Sequence, residues 1–229
     1  MREFVITVRC TLESQPRPFR LVAFGIEPAG EDRALVESVL AKATVQRGTP
    51  CDPAGRLRDE SKLVKTRYLG ALSEILLERY LQRQLGDAYT VTNKPFSTYD
   101  AHVDLIVSAG EKALSVEVRG SFPFSRLQRV ICELFDIIGP YSTGYKPGET
   151  AKDLYLRTLI NQPVARFDPH RAHTLLFAGG AEREFMEQCG YETTFDQQNA
   201  RYLAVKPIAK ARDAVEIVDV MRRQLRATE

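Results

Sequence analysis

The 229-residue sequence has no tryptophan, only three methionines and only three histidines. So few imidazoles leave any catalysis to carboxylates, lysines and arginines. The four cysteines, Cys10, Cys51, Cys132 and Cys189, stand singly, which excludes a Cys-x-x-Cys zinc half-site and argues against a disulfide framework. They read as buried thiols in a reducing compartment. No apolar run approaches the roughly 18 residues of a membrane span. The opening MREFVITVRC lacks the apolar stretch and small-residue cleavage site of a signal peptide and alternates as a strand does, so the expected location is the cytoplasm. Charge of one sign is scarce too: 32 Lys and Arg against 30 Asp and Glu give a formal net charge of +2. That balance argues against a polyanion binder working by bulk charge and leaves room only for a locally basic groove. With 44% hydrophobic and 27% charged residues, the chain has a globular composition, which excludes a disordered chain, a collagen-like fibre and a coiled coil. Its length suits one large domain, or an ordinary domain with an extension.

Periodicity gives the expected elements. Phe4 to Leu12 alternates, the QPRP of Gln15 to Pro18 breaks it, and Phe19 to Ile26 reads as a second strand. A helix follows from Glu31 to Ala43, announced by Glu31 and Asp32. Gln46 to Arg58 reads as loop, so residues 1–60 form an N-terminal extension and residues 61–229 the core domain. Leu69, Leu72, Leu76 and Tyr80 make an apolar stripe on a helix from Leu63 to Leu85, stopped by Gly86. Strands are expected at Tyr89 to Thr92, Ala101 to Ser108, Ala113 to Arg119, His173 to Ala178 and Tyr202 to Lys206. Helices are expected at Ser125 to Ile138, Ala151 to Asn161, Ala181 to Cys189 and Ala211 to Leu225. The mixed order implies an α/β or α+β sheet with helices on its faces.

The stretch that carries chemistry is AHVDLIVSAGEKALSVEVRG, Ala101 to Gly120. Treating Ala109 to Lys112 as a hairpin loop sets Ser108 opposite Ala113, Val107 opposite Leu114 and Asp104 opposite Glu117. The period of two then sends Leu105, Val107, Leu114, Val116 and Val118 to one face, and His102, Asp104, Glu117 and Arg119 to the other. Opposed carboxylates repel, by about 0.2–1 kcal/mol on an open sheet and by more when desolvated. A cation between them relieves this, and Mg²⁺ (or Mn²⁺) suits a pair of carboxylates plus a phosphate oxygen. Such an ion would polarise a phosphate and acidify a bound water, with Arg119 neutralising the charge that develops. The plainer alternative is an exposed face on which Asp104 pairs with Arg119 or His102.

The order of helix with glycine and glutamate, short strand, strand with Asp, hairpin, strand ending Glu-x-basic and helix resembles the PD-(D/E)xK nuclease superfamily. The matching pieces are Gly70 to Glu74 (GALSE), Asp104 in HVDLIV, and Glu117-Val118-Arg119 in SVEVRG. They span Leu63 to Ile138, about a third of the chain, with Thr174 to Phe177 as a further core strand. The resemblance implies an α/β, restriction-endonuclease-like fold: a mixed central sheet flanked by helices, here with an N-terminal β-hairpin/helix extension. It implies a metal-dependent DNA endonuclease of restriction or repair type, with Asp104 and Glu117 as metal ligands, Glu74 as an auxiliary ligand, and Arg119 where the family has lysine. Arginine keeps the charge but cannot act as a base. Lys112 and Lys94 are the nearest lysines in sequence that could stand in. Val103 stands where the family has proline. Glu78, one turn after Glu74, is its rival on the helix.

Two basic groups flank these motifs in sequence. Arg58, Lys62 and Lys65 lead into the long helix, and Arg126 and Arg129 follow the motif strand; both are candidate backbone contacts, or simply solvated faces. Two other readings compete. A catalytically degenerate relative would bind DNA or serve in assembly without cutting. A nucleotide-binding domain is suggested by Gly179-Gly180 after a strand, although G-x-G-x-x-G and the P-loop lysine are both missing. His170 and His173 have metal-pair spacing, but a structural role is the simpler reading. A homodimer would suit cutting of both strands of a duplex.

Overall fold

Alternation dictates the first pair of elements. The computed structural model describes residues 1–45, 59–93, 103–123, 125–141, 150–195 and 200–226. Strands β1 (Arg2–Leu12) and β2 (Gln15–Ile26) form an antiparallel hairpin with Leu12 opposite Gln15. Its two turn residues, Glu13 and Ser14, have φ of 48° and 66°, the sense of turn whose twist matches that of the flanking strands. The QPRP segment, expected as a break, is instead the beginning of β2. Prolines are tolerated there because β2 gains its second neighbour, β8 (His173–Glu182), only from Val22 onward.

The remaining strands of this sheet are β3 (Thr90–Asn93), β4 (Leu105–Ala109), β5 (Lys112–Ser121) and β7 (Leu154–Ile160). The order across its seven strands is β1-β2-β8-β7-β5-β4-β3, with β5 and β7 parallel and the other pairs antiparallel. The hairpin of residues 1–60 is therefore continuous with the central sheet. Helices α1 (Arg33–Val45), α2 (Glu60–Leu85) and α5 (Glu216–Leu225) bury Val36, Leu72, Leu76 and Ile217 against Phe24, Leu105, Val107 and Val116 on one face of the sheet. Helix α2 begins where the Asp59 carboxylate accepts from the amides of Ser61 and Lys62. It ends at Gly86, whose φ of 85° suits glycine.

A second layer covers the opposite face. It comprises the sheet β6-β10-β9 (Ile137–Tyr141, Ala200–Val205, Tyr191–Phe195), helix α4 (Arg183–Cys189), and the short helix α3 (Leu127–Arg129), which continues into a π turn over Val130–Leu134. Ile131, Ile137 and Val205 pack there against Leu21, Tyr155, Leu159 and Leu176. The protein is thus mixed α/β, with a large mixed sheet flanked by helices. Among the described residues no helix is long and apolar enough to cross a membrane.

Several expectations need correction. Ala151 to Asn161 is not a helix but holds β7, all seven residues of which are buried. With both faces covered, a central strand loses its alternation and reads as a plain apolar run. The helix expected to reach Ile138 stops at Leu134, because Ile137–Tyr141 pairs with β10. Strand β9 was not anticipated. Cys10 and Cys132 are not free thiols but form a disulfide between β1 and the π turn, across 122 residues of sequence; Cys189 is an exposed thiol and Cys51 lies outside the described residues. Gly179 and Gly180 lie within β8 rather than in a turn, and Gly180 exchanges backbone hydrogen bonds with Arg212, so no phosphate-binding loop opens there. His173 donates from Nδ1 to the Arg171 carbonyl (2.8 Å) and accepts at Nε2 from the Tyr68 hydroxyl (3.1 Å), while His170 is exposed. Both ring nitrogens of His173 are occupied, and its role is structural.

Candidate functional site

The β4–β5 hairpin has the register that the spacing predicts. Leu105 pairs with Val116, Val107 with Leu114 and Ser108 with Ala113, around a tight turn in which Gly110 has a φ of 59°. Leu105, Val107, Val116 and Val118 are buried beneath α2, while Glu117 and Arg119 point to the opposite face. That face is not open: its second layer brings Tyr202 of β10 to 4.9 Å from the Arg119 guanidinium.

Asp104 sits just before β4, where β5 runs on past its neighbour. Its amide still donates to the Val116 carbonyl (3.2 Å), extending the ladder by one step. Beyond it the amide of Val118 has no β4 residue to meet, and Asp104 Oδ2 accepts it at 2.7 Å. The carboxylate therefore lies at the end of the sheet, between its two faces. From there it feels Glu74 from the helix side and Glu117 and Arg119 from the other.

Electrostatics follow from that position. Burial, then the charges of Glu74 and Glu117, push the Asp104 carboxyl up to about 7, against the pull of the Val118 amide and Arg119. Burial likewise pushes Glu74 up to about 7, although a hydrogen bond with Asn93 at the end of β3 and the charge of Lys42 on α1 oppose it. Glu117 Oε1 accepts from Arg119 Nε at 2.6 Å. These residues fit a divalent cation. Asp104 and Glu117 each keep a second oxygen outside these bonds, and negative charge at Asp104 and Glu74 is undercompensated. Among the described residues no three His, Cys, Asp or Glu side chains converge on one point.

Other candidates are scattered. Glu78 lines a groove of about 810 Å³ between α1 and α2 together with Lys42 and Arg79. Lys112 is at the opposite end of the hairpin, donating to the Arg226 carbonyl (2.8 Å), and cannot replace the missing lysine; Lys94 and His102 lie outside the described residues, as does Arg58. Lys62 is exposed in the first turn of α2, but the Lys65 ammonium is held by the Val164 carbonyl (3.1 Å). Arg126 and Arg129 line a pocket with Arg9 and Thr11 of β1, four strands from β5, and Arg129 is paired with Glu133 (3.2 Å). They do not flank the carboxylates: after β5 the chain crosses the sheet to its β1 edge before returning. Asn93 was missed because a lone amide carries no pattern, and Arg157, in register with Arg119 on β7, was missed because its segment read as helix.

The chain is similar to an uncharacterized protein of Methanocaldococcus jannaschii, 23% identical over an alignment 232 positions long that takes in 85% of this chain and 80% of the relative. No family model and no solved structure matches it.

Proposed function

We propose that the protein is a Mg²⁺-dependent (or Mn²⁺-dependent) DNA endonuclease on a restriction-endonuclease-like scaffold of the PD-(D/E)xK superfamily. The observation that carries this reading is the carboxylate group at the end of the β4–β5 hairpin. Asp104 is raised by burial and by the charge of Glu74, and Glu74 by its own burial, beside the Glu117–Arg119 pair. The order α2, β3, β4, β5 also follows the motif order on which the resemblance rests. Asp104 and Glu117 would hold the cation and Glu74 would support it. The ion would supply Lewis-acid polarisation of the phosphodiester and a water acidified toward neutral pH. Arg119, permanently protonated, neutralises charge on the phosphate but takes no proton. Cutting both strands of a duplex would use two copies of the chain.

A second reading, a degenerate nuclease fold that binds DNA without cutting, is favoured by the Arg119–Glu117 ion pair, which already satisfies one proposed ligand oxygen. One experiment separates them. The protein is incubated with Mg²⁺ or Mn²⁺ and with linear, nicked, branched and single-stranded DNA, beside Asp104→Ala and Glu117→Ala. Cleavage by the wild type, reduced at least a hundredfold in both variants, is the expected result. Metal-independent binding with no product from any DNA form would establish the second reading instead.

A further inference from the structure

The sequence KDLYLRTLI places an arginine in the middle of a strand whose seven residues are all buried. Arg157 is 5% exposed, and its Nε is buried with no hydrogen-bond partner. A buried guanidinium is a strong demand for an acceptor, since a charge and its fixed fork of donors have lost most of their water, and here the Nε–H has lost all of it. The surroundings meet that demand only in part. The Phe135 ring, 5.8 Å away, offers its face but no lone pair. Asp136 lends attraction, yet its Oδ2 accepts from the Tyr191 hydroxyl at 3.2 Å. Burial and the repulsion of Arg119 accordingly pull the Arg157 guanidinium down to about 10.

Register explains that repulsion. Strands β5 and β7 are parallel, with Arg119 beside Arg157 and Glu117 beside Tyr155, so both guanidiniums emerge on the same face. Their backbones lie one sheet spacing apart, about 4.8 Å. On the other side of β7, two residues of β8, Ala178 and Gly179, oppose Arg157 alone in a bulge between the Leu156 and Thr158 pairs. Bulges of this kind re-aim side chains and collect near functional sites.

We propose that Arg157 anchors an oxyanion site that receives a phosphate group of the DNA backbone beside the carboxylates of the hairpin. This rests on the nuclease reading for the source of the phosphate, while the anion site itself follows from the arginine. A tetrahedral oxyanion supplies acceptors in the fork geometry of a guanidinium and relieves the like charge of the two arginines. Arg157 is a binding residue here, and Arg119 its charged neighbour.

The test uses the full chain in EDTA, without metal, with inorganic phosphate as the first probe. The thermal midpoint of the wild type rises with millimolar phosphate. Arg157→Met needs at least tenfold more phosphate for the same rise, and melts no lower than the wild type without phosphate. Arg157→Lys, which keeps the charge but not the fork, responds in between and serves if the methionine variant does not fold. The Asp104→Ala/Glu117→Ala double variant keeps the phosphate response. In the second arm, binding of a labelled DNA duplex in EDTA weakens about tenfold in Arg157→Met, and the slope of log affinity against log salt falls by about one. A phosphate response equal in wild type and both Arg157 variants, or absent from the wild type, overturns the site. A response that depends on Arg157 with DNA affinity unchanged overturns the assignment to the backbone. Absence of cleavage with Mg²⁺ while both arms hold removes the nuclease reading and leaves the anion site standing.

Discussion

Asp104 shows how one residue's position sets its chemistry. Its side chain serves as a ladder partner for an amide that the neighbouring strand has run out of residues to meet. That bond fixes the carboxylate between two other acids, and the site resists ionisation. The consequence for stability has a definite sign. A carboxyl raised from its ordinary 3.8 to about 7 binds more protons when folded than when unfolded across that interval. Its contribution is fully present below pH 4 and is lost as pH rises through 7. Asp104→Asn retains a carbonyl acceptor for the Val118 amide without the charge. It is expected to match the wild type at pH 4 and to exceed it by about 1–3 kcal/mol at pH 8. Mg²⁺, which binds the ionised form and releases its proton, should stabilise the wild type increasingly above pH 7 and leave the variant nearly unmoved. Urea midpoints at pH 4 and 8, with Mg²⁺ and with EDTA, measure this. Parallel pH profiles for the two proteins would mean that Asp104 ionises in the folded chain as freely as in the unfolded one.

Elements differ in how much of them the sequence discloses. The β4–β5 hairpin was legible because a strand covered differently on its two faces must alternate, and one residue of slip would bury its charges. Long helix α2 was legible from its stripe and from Gly86. Strand β7 was not, because a strand buried on both faces has no period to read, and with it went the register that pairs Arg157 with Arg119. The candidate site divides in the same way: Asp104, Glu117 and Arg119 share one hairpin and could be placed by arithmetic, and Glu74 came from its motif, whereas Asn93 and Arg157 needed the tertiary fold. The β8 bulge makes a further test at this scale. Gly179 has a φ of 89°, and a Cβ there would collide with the carbonyl of Arg212, whose segment is bonded to Gly180 and leads into α5. Gly179→Ala should therefore cost more than about 2 kcal/mol, read as a lower urea midpoint at unchanged slope. A variant as stable as the wild type would show that β8 can relax its bulge freely.

At the scale of the whole molecule, 32 positive and 30 negative side chains nearly balance, and among the described residues the basic ones do not gather into one groove along the proposed site. Lys65 and Arg129 are engaged within the fold, and Arg126 gathers with Arg9 around the β1 edge. The functional reading thus leans on the carboxylates and on the arginines of β5 and β7, not on surface charge. The β1 edge has a structural job of its own, since the Cys10–Cys132 disulfide ties it to the π turn across 122 residues. A cross-link that closes a loop of this length restricts the unfolded chain, an effect worth about 2–5 kcal/mol. Cys132→Ser, or the wild type in reductant, should lose stability on that scale by urea titration. Because β1 lies four strands from β5, the phosphate response that depends on Arg157 should survive reduction once the measurement is made well below the lowered midpoint. Loss of both together would mean that the second layer, which the disulfide pins at one edge and Arg119 and Arg157 meet further in, moves as a single unit over the sheet.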